Sequence, residues 1–246
     1  MNWVQHFSGR PQLKLEQYQG EHISELESRR IGDSIAQFQR GESSEARDFL
    51  EKSQTFSRKS GNPTFFEESK LFVQEENYHS YLLAIFMNQS NICMASDAWA
   101  DNVFRWIRSF GDIAWSSRVL LTAEILAQVY YPALKEATSS SLLRAICERI
   151  IEDEEYHILF QTERIARVLQ HHSRIYLTIH SLLGLSLFLG TTLVVWLEHR
   201  KVLSSSLSFL NYFKASFGYY RFAMAQLSSF LTSQKPTLED LGSYAK

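Results

Sequence analysis

Two short strings in the sequence place a histidine three residues after a glutamate. The strings are Glu75-Glu76-Asn77-Tyr78-His79 and Asp153-Glu154-Glu155-Tyr156-His157. On a helix, a Glu and a His at this spacing lie on the same face one turn apart, so their oxygen and nitrogen atoms can converge on one metal ion. One such string alone is weak evidence, because chance produces it readily in a chain with 27 acidic residues and eight histidines. The surroundings of the two strings therefore decide the interpretation.

Each string continues an apolar stripe of helical period. The first stripe contains Phe72, Glu76, His79 and Leu83, and the second contains Ile150, Glu154, His157 and Gln161. Stripes of this kind face the core of a helical protein. An ionised carboxylate on a buried face is costly unless it is paired, protonated or bound to metal. The two strings therefore predict a buried site in which cations neutralise several carboxylates.

A further buried carboxylate is predicted at Glu124, the only charged residue in the apolar run 119–129. Glu124 precedes Glu154 by 30 positions, and Glu45 precedes Glu76 by 31. About thirty residues cover one helix, a turn and the return to the same level, given a rise of about 1.5 Å per residue. The equal spacings therefore predict that all these groups lie in one layer of an antiparallel bundle.

One position in this set has two candidates. Glu42 lies on the same stripe as Glu45, 34 positions before Glu76. The 31-residue spacing favours Glu45, and Glu42 is then expected to support a ligand or to face solvent. Glu42 stays open as the alternative ligand.

The elements that must position these groups are predicted to be helices throughout. Four prolines and ten glycines are few for 246 residues, and the stretches between them favour helix. Periodicity and capping signals predict four long helices, A to D. Helix A covers 31–56, and helix B runs from Asn62-Pro63 to about 88. Helix C begins at Asp112 and is kinked or ended by Pro132, and helix D runs from the 138–141 cluster to His171-His172. A short amphipathic helix over 97–110 is expected to link B to C.

This arrangement resembles the ferritin-like di-iron carboxylate proteins over residues 31–171. Their ligand set is one glutamate from each of two helices and a Glu-x-x-His from each of the other two. The resemblance implies an all-α, ferritin-like four-helix bundle around two iron ions, Fe/Fe or Mn/Fe. It implies the metal ligands Glu45 (or Glu42), Glu76, His79, Glu124, Glu154 and His157, with Glu76 and Glu154 bridging. Glu75 and Asp153 stand where many relatives keep an acid that orients a ligand histidine.

The regions around helices A to D predict one domain with appended segments. Residues 1–30 are expected to form an extension with little chemistry, and 234–246 a polar tail. Between them, a ferritin-like domain over 31–233 consists of the metal-binding bundle and two accessory helices within about 174–233. The apolar segment 175–197 is long enough to cross a bilayer. We expect this segment to form a helix that is fully buried between the bundle and the last helix. The alternative is that it anchors the protein in a membrane.

The resemblance implies that the chain uses O2 to oxidise a small apolar organic substrate, with an electron donor and a second copy in a homodimer as further expected partners. A non-enzymatic iron-binding or storage protein and a membrane-attached di-iron oxidase are the alternatives. A net charge of −2 without a long basic run argues against nucleic acid as a partner. Cys93 and Cys147 form no CxxC pattern, and the N-terminus shows no secretory signal, so a cytoplasmic location is expected, with membrane association through 175–197 as the alternative.

Overall fold

The chain is described by a computed structural model that covers residues 1–18, 22–43, 46–95 and 99–233. Within these ranges every long element is an α-helix and no strand occurs, so the all-α prediction is confirmed. The predicted tail, 234–246, lies outside them. The elements are α1 (Trp3–Ser8), a 3-10 turn (Leu15–Tyr18), α2 (Glu25–Glu42), α3 (Ala46–Ser60), α4 (Pro63–Gln89), α5 (Trp99–Ser109), α6 (Ile113–Ala137), α7 (Ser141–Leu169), α8 (Arg174–Glu198), α9 (Arg200–Leu203) and α10 (Phe209–Ser233).

The long helices of the bundle begin at side-chain caps. The side chains of Asn62, Asp112 and Ser140 accept hydrogen bonds from backbone N–H groups in the first turns of α4, α6 and α7. These starts match the predicted ones. The proline in α6, Pro132, does not end the helix, which continues to Ala137. The helix α7 ends at Leu169, just before the predicted histidine pair.

The predicted helix A is two helices, α2 and α3. The first begins at Glu25, six residues earlier than predicted, because Ser24 caps it by accepting from the Glu27 N–H. It ends at Glu42, and the chain resumes as α3 at Ala46. Both helices pack on α4, while α4 packs on α7 and α6 pairs with α7 along its length. The result is a helical bundle whose core lies between α2, α3, α4, α6 and α7.

The N-terminal segment is docked on this bundle instead of extending away from it. In α1, Trp3 and Phe7 are buried, and both rings pack against Phe160 of α7. The indole Nε1 of Trp3 donates a hydrogen bond to Glu163 at 2.7 Å. Residues predicted to carry little chemistry therefore cover one side of the core.

The helix α8 lies on the bundle through one face only. Its buried residues include Gly184, where an added Cβ would lie 2.9 Å from Cδ of Arg118, so the two helices α8 and α6 approach closely there. The opposite face is apolar and exposed at Ile175, Ile179, Leu182, Leu183, Leu193 and Leu197. The expectation of a fully buried helix is therefore wrong. Within the described ranges, α8 is also the one helix whose length and apolar composition would allow it to cross a membrane.

Candidate metal centre

The two Glu-x-x-His strings meet at one level of the core. Helix α4 contributes Glu76 and His79, and helix α7 contributes Glu154 and His157. One ligand atom from each of the four lies within 4.8 Å of the others. The two imidazole rings are 5.5 Å apart between centroids. The nearest opposed atoms are His157 Nδ1 and Glu76 Oε1, which are 2.9 Å apart.

Two more carboxylates reach the same layer from α6 and α2. Oε2 of Glu124 lies 3.9 Å from His157 Nδ1, and Oε2 of Glu42 lies 3.7 Å from His79 Nδ1. The side chain of Glu124 is buried, in agreement with its isolated position in an apolar run. The favoured ligand Glu45 falls outside the described residues. The alternative, Glu42, is present at the corner of the site that the fourth carboxylate was expected to occupy.

Several atoms that face the centre of this cluster are buried and, among the described residues, form no hydrogen bond of good geometry. They are Glu76 Oε1, His79 Nδ1, both carboxylate oxygens of Glu154, and His157 Nδ1. Buried polar atoms normally have partners, so a group of such atoms aimed at a common centre indicates a ligand between them. Carboxylate and imidazole together suit iron or manganese. The donor set therefore fits a pair of these ions.

The electrostatics of the cluster also favour cations. Burial, followed by the charges of Glu124 and Glu42, raises the pKa of Glu76 well above its usual range. Burial raises the pKa of Glu154 to about 7, and burial and the neighbouring Glu154 raise the pKa of Glu124 well above its usual range. Burial also opposes ionisation of Glu42, but its interactions with His79 outweigh burial and lower its pKa. Without positive charge at the centre, these carboxyls cannot all be ionised at neutral pH.

Each histidine is oriented by an acid from the opposite helix. Nε2 of His79 lies 3.0 Å from Oδ2 of Asp153, and Nε2 of His157 lies 3.0 Å from Oε2 of Glu75. These hydrogen bonds fix both rings with Nδ1 toward the carboxylates. Glu75 and Asp153, which the resemblance implies as acids that orient ligand histidines, therefore lie against the two rings.

Two arginines hold those acids, and sequence reasoning identified neither. Arg149 of α7 contacts Asp153 through Nε and lies 3.3 Å from Oε1 of Glu75 through Nη2. Arg10, just after α1, lies 3.5 Å from the same Glu75 oxygen and also pairs with Asp153. The four-residue spacing between Arg149 and Asp153 was a readable signal for an ion pair on a helix. No local pattern links Arg10 to this site.

Sequence reasoning also did not identify Tyr131, whose phenol contacts a glutamate of the site. The hydroxyl of Tyr131 donates a hydrogen bond to Oε1 of Glu42, and its ring is fully buried. Tyr131 lies seven residues after Glu124 on α6, which places both on one face of that helix. This spacing was the signal that could have identified it. The contact leaves only the second oxygen of Glu42 facing His79.

An apolar cavity of about 170 Å³ opens on the carboxylate side of the centre. Glu42, Glu76 and Glu124 line it, whereas the two histidines of the site do not. Most of its wall is apolar and comes from α2, α5, α6 and α8: Phe38, Phe104, Val119, Leu120, Leu126 and Val195. Helix α8, which contains the apolar 175–197 segment, contributes Val195 to this wall, although that helix is not fully buried. The centre has a closed histidine face and an open carboxylate face.

Comparison of the chain with protein-family models, with curated proteins and with solved structures gives no match. The interpretation of the site therefore rests on its geometry and donor chemistry.

Proposed function

We propose that this protein is a ferritin-like di-iron oxidoreductase that uses O2 to oxidise a small apolar organic substrate. One observation carries the proposal: four carboxylates and two imidazoles from four helices converge beside an apolar cavity, and among the described residues the facing atoms of Glu76, Glu154 and both histidines lack well-formed hydrogen bonds. An ordinary polar core would pair these atoms with one another or with the backbone. A pair of divalent or trivalent ions accounts for all of them.

The distances support different roles for the four glutamates. Glu76 Oε1 lies 2.9 Å from Nδ1 of His157 and 3.8 Å from Nδ1 of His79. The two oxygens of Glu154 likewise lie 3.4 Å and 3.7 Å from the same two nitrogens. Each of these glutamates therefore lies near both histidines and could be shared between two ions if the site held a pair.

The two remaining glutamates each lie near one histidine only. Glu42 is beside His79, and Glu124 is beside His157. This arrangement suits terminal ligands, one for each ion. Each ion would then have one histidine, one terminal carboxylate and a share of two bridging carboxylates, which leaves coordination positions for exogenous molecules.

The cavity supports oxidation of a substrate more than storage of iron. When bound, a di-iron pair supplies the binding and reduction of O2, with electrons from a separate donor. The chain supplies a mostly apolar space directly beside the carboxylates. An apolar cavity of about 150 Å³ is large enough to hold benzene. The substrate proposed here is therefore a molecule of about the size of one aromatic ring or a short alkyl chain.

Iron loading tests this proposal directly. The full chain is incubated anaerobically with Fe(II), freed of excess metal and exposed to air while the optical spectrum and O2 uptake are recorded. We expect about two irons per chain, absorption changes on oxidation, and O2 uptake that apolar compounds of the right size accelerate. Iron no higher than in a heat-denatured control, or a single tightly bound zinc, would contradict the proposal.

The exposed apolar face of α8 favours a second version, in which the same oxidase is attached to a membrane. Size-exclusion chromatography without detergent separates the cases. A small species supports the oxidase in free form, a large shell supports storage, and insolubility that detergent relieves supports attachment. Because α8 contacts α6 closely at Gly184, we expect removal of residues from 174 onward to leave an aggregating bundle. A stable, soluble truncated bundle would instead identify α8 as a dispensable anchor.

A further inference from the structure

Gln161 is a buried amide with no visible purpose in the packing of the bundle. It lies on α7 four residues after His157 and ends the stripe that carries Glu154. Its side chain is 0% exposed, and neither Oε1 nor Nε2 has a hydrogen-bond partner in the part of the chain that the structure describes. A buried amide of this kind normally has a partner, because leaving both atoms unpaired lowers stability.

A second buried glutamine shows the ordinary arrangement. Gln128 lies on α6 four residues after Glu124, so it has the same relation to a metal ligand as Gln161 has to His157. It is also almost fully buried, but its Nε2 donates a hydrogen bond to the backbone oxygen of Ile151 at 2.8 Å. Burial in this bundle therefore does not by itself leave a glutamine amide without a partner.

The direction of the helix predicts that the Gln161 side chain covers the turn of α7 that carries His157. Side chains on a helix lean toward its N-terminus and cover the preceding turn. For Gln161 the preceding turn is the one that carries His157, about 6 Å away along the axis at a rise of about 1.5 Å per residue. The side chains packed around this turn include Phe72, whose ring lies 4.9 Å from that of His157 and 5.3 Å from that of Phe160 between centroids. Aromatic rings give an amide no strong hydrogen-bond partner.

We infer that Gln161 hydrogen-bonds a small exogenous ligand held at the metal pair, which is water in the resting protein. An amide has both a donor and an acceptor, so it can hold such a ligand in either protonation state. The inference rests on the proposed function, since the ligand needs a metal to bind. It makes Gln161 a positioning residue for whatever molecule occupies the open coordination position.

Two substitutions and one probe test this inference. Gln161→Leu removes both polar atoms at similar volume, and Gln128→Leu is the matched control; Gln161→Met replaces the first variant if it folds poorly. The probe is azide, titrated into the iron-loaded, air-oxidised full chain and followed by its absorption. We expect an azide Kd about tenfold higher in Gln161→Leu, in line with the loss of one hydrogen bond, and a wild-type Kd in Gln128→Leu. Iron content should be unchanged in both.

The metal-free proteins give an independent measurement. We expect Gln161→Leu to unfold at the same or a higher urea concentration than the wild type, because it removes two unpaired buried atoms, and Gln128→Leu to unfold at a lower one. An unchanged azide Kd in Gln161→Leu with normal iron content would overturn the inference alone. If Gln161→Leu lost as much stability as Gln128→Leu, the inference would also be overturned, since the Gln161 amide would then have a hydrogen-bond partner within the protein. Failure of the wild type to bind iron would overturn the proposed function and this inference together.

Discussion

The two faces of the metal centre are built by different means. On the histidine face, His79 and His157 are held by acids, the acids by Arg10 and Arg149, and Arg10 belongs to the N-terminal segment that covers that side. On the carboxylate face, Glu42, Glu76 and Glu124 line an apolar cavity, and Oε1 of Glu76 forms no hydrogen bond of good geometry with the described residues. The contrast indicates that the chain fixes the donors that must stay in place. It leaves freedom on the cavity side, where the proposed ligands would enter.

The largest effect is expected from removing a ligand on the carboxylate face. Glu124→Ala takes one buried carboxylate from the cationic site, so the variant should lose most of its bound iron and all O2 consumption, while the helical fold survives because Ala favours helix. Glu155→Ala is the control, since Glu155 is exposed on the outer face of α7. The measurement is the number of iron ions bound per chain in each variant. Equal, wild-type iron content in both variants would refute Glu124 as a ligand.

A smaller effect is expected from the histidine face, where the contacts are indirect. Arg10→Ala leaves all six candidate ligands intact but loosens Glu75 and Asp153, which orient the two rings. Groups in this position typically contribute about 10- to 100-fold to metal affinity. Competition with a chelator should show a loss in this range for Arg10→Ala and partial recovery in Arg10→Lys.

The control for this prediction is Arg29→Ala. Arg29 is mostly exposed and pairs with Glu25 one turn earlier on the same helix, so it contributes little. If Arg10→Ala and Arg29→Ala had the same metal affinity, the N-terminal segment would play no part in the centre, and the contrast between the faces would be lost.

The cavity can be filled without touching the histidine face. Ala123 lies on α6 next to Glu124 and lines the cavity, so Ala123→Phe should occupy much of the space. Xenon, which enters dry apolar cavities, should bind the wild type under pressure and fail to bind the variant, while iron affinity stays within about twofold. Xenon bound equally well in both proteins would show that the cavity lies elsewhere. A parallel loss of iron would show that the two faces are not separable.

The smallest effect concerns the metal-free protein and its pH dependence. The pKa of Glu154 is raised from 4.5 to about 7 by burial, so in the absence of metal this carboxyl contributes stability below about pH 4.5 that is lost as the pH rises through 7. Glu154→Gln cannot ionise. Urea unfolding of the metal-free proteins should therefore give similar stability at pH 5 and a more stable variant at pH 8. A difference that is constant from pH 5 to pH 8 would contradict this account of the carboxylate charges.

The sequence predicted the parts of the site that local patterns record. The Glu-x-x-His spacing, the apolar stripes and the lone charge at Glu124 depend on helix periodicity alone, and the structure brings those residues together. The break between α2 and α3 was not predicted, because helical periodicity continues across residues 43–45. The contact of Arg10 with Asp153 spans more than a hundred residues and leaves no local trace. The exposure of α8 was also not predicted, because most of its Ile and Leu residues lie on the exposed face while His180, Gly184 and Thr191 lie on the buried one, the reverse of the usual pattern.

The central claim is that the six side chains hold two metal ions between α4 and α7. Anomalous diffraction at the iron edge from crystals of the iron-loaded protein tests it most directly. The account predicts two iron peaks about 3.5–4 Å apart, both between Glu76 and Glu154, one beside His79 and the other beside His157. A single peak, a peak outside this layer, or Glu124 turned away from the ions would contradict it.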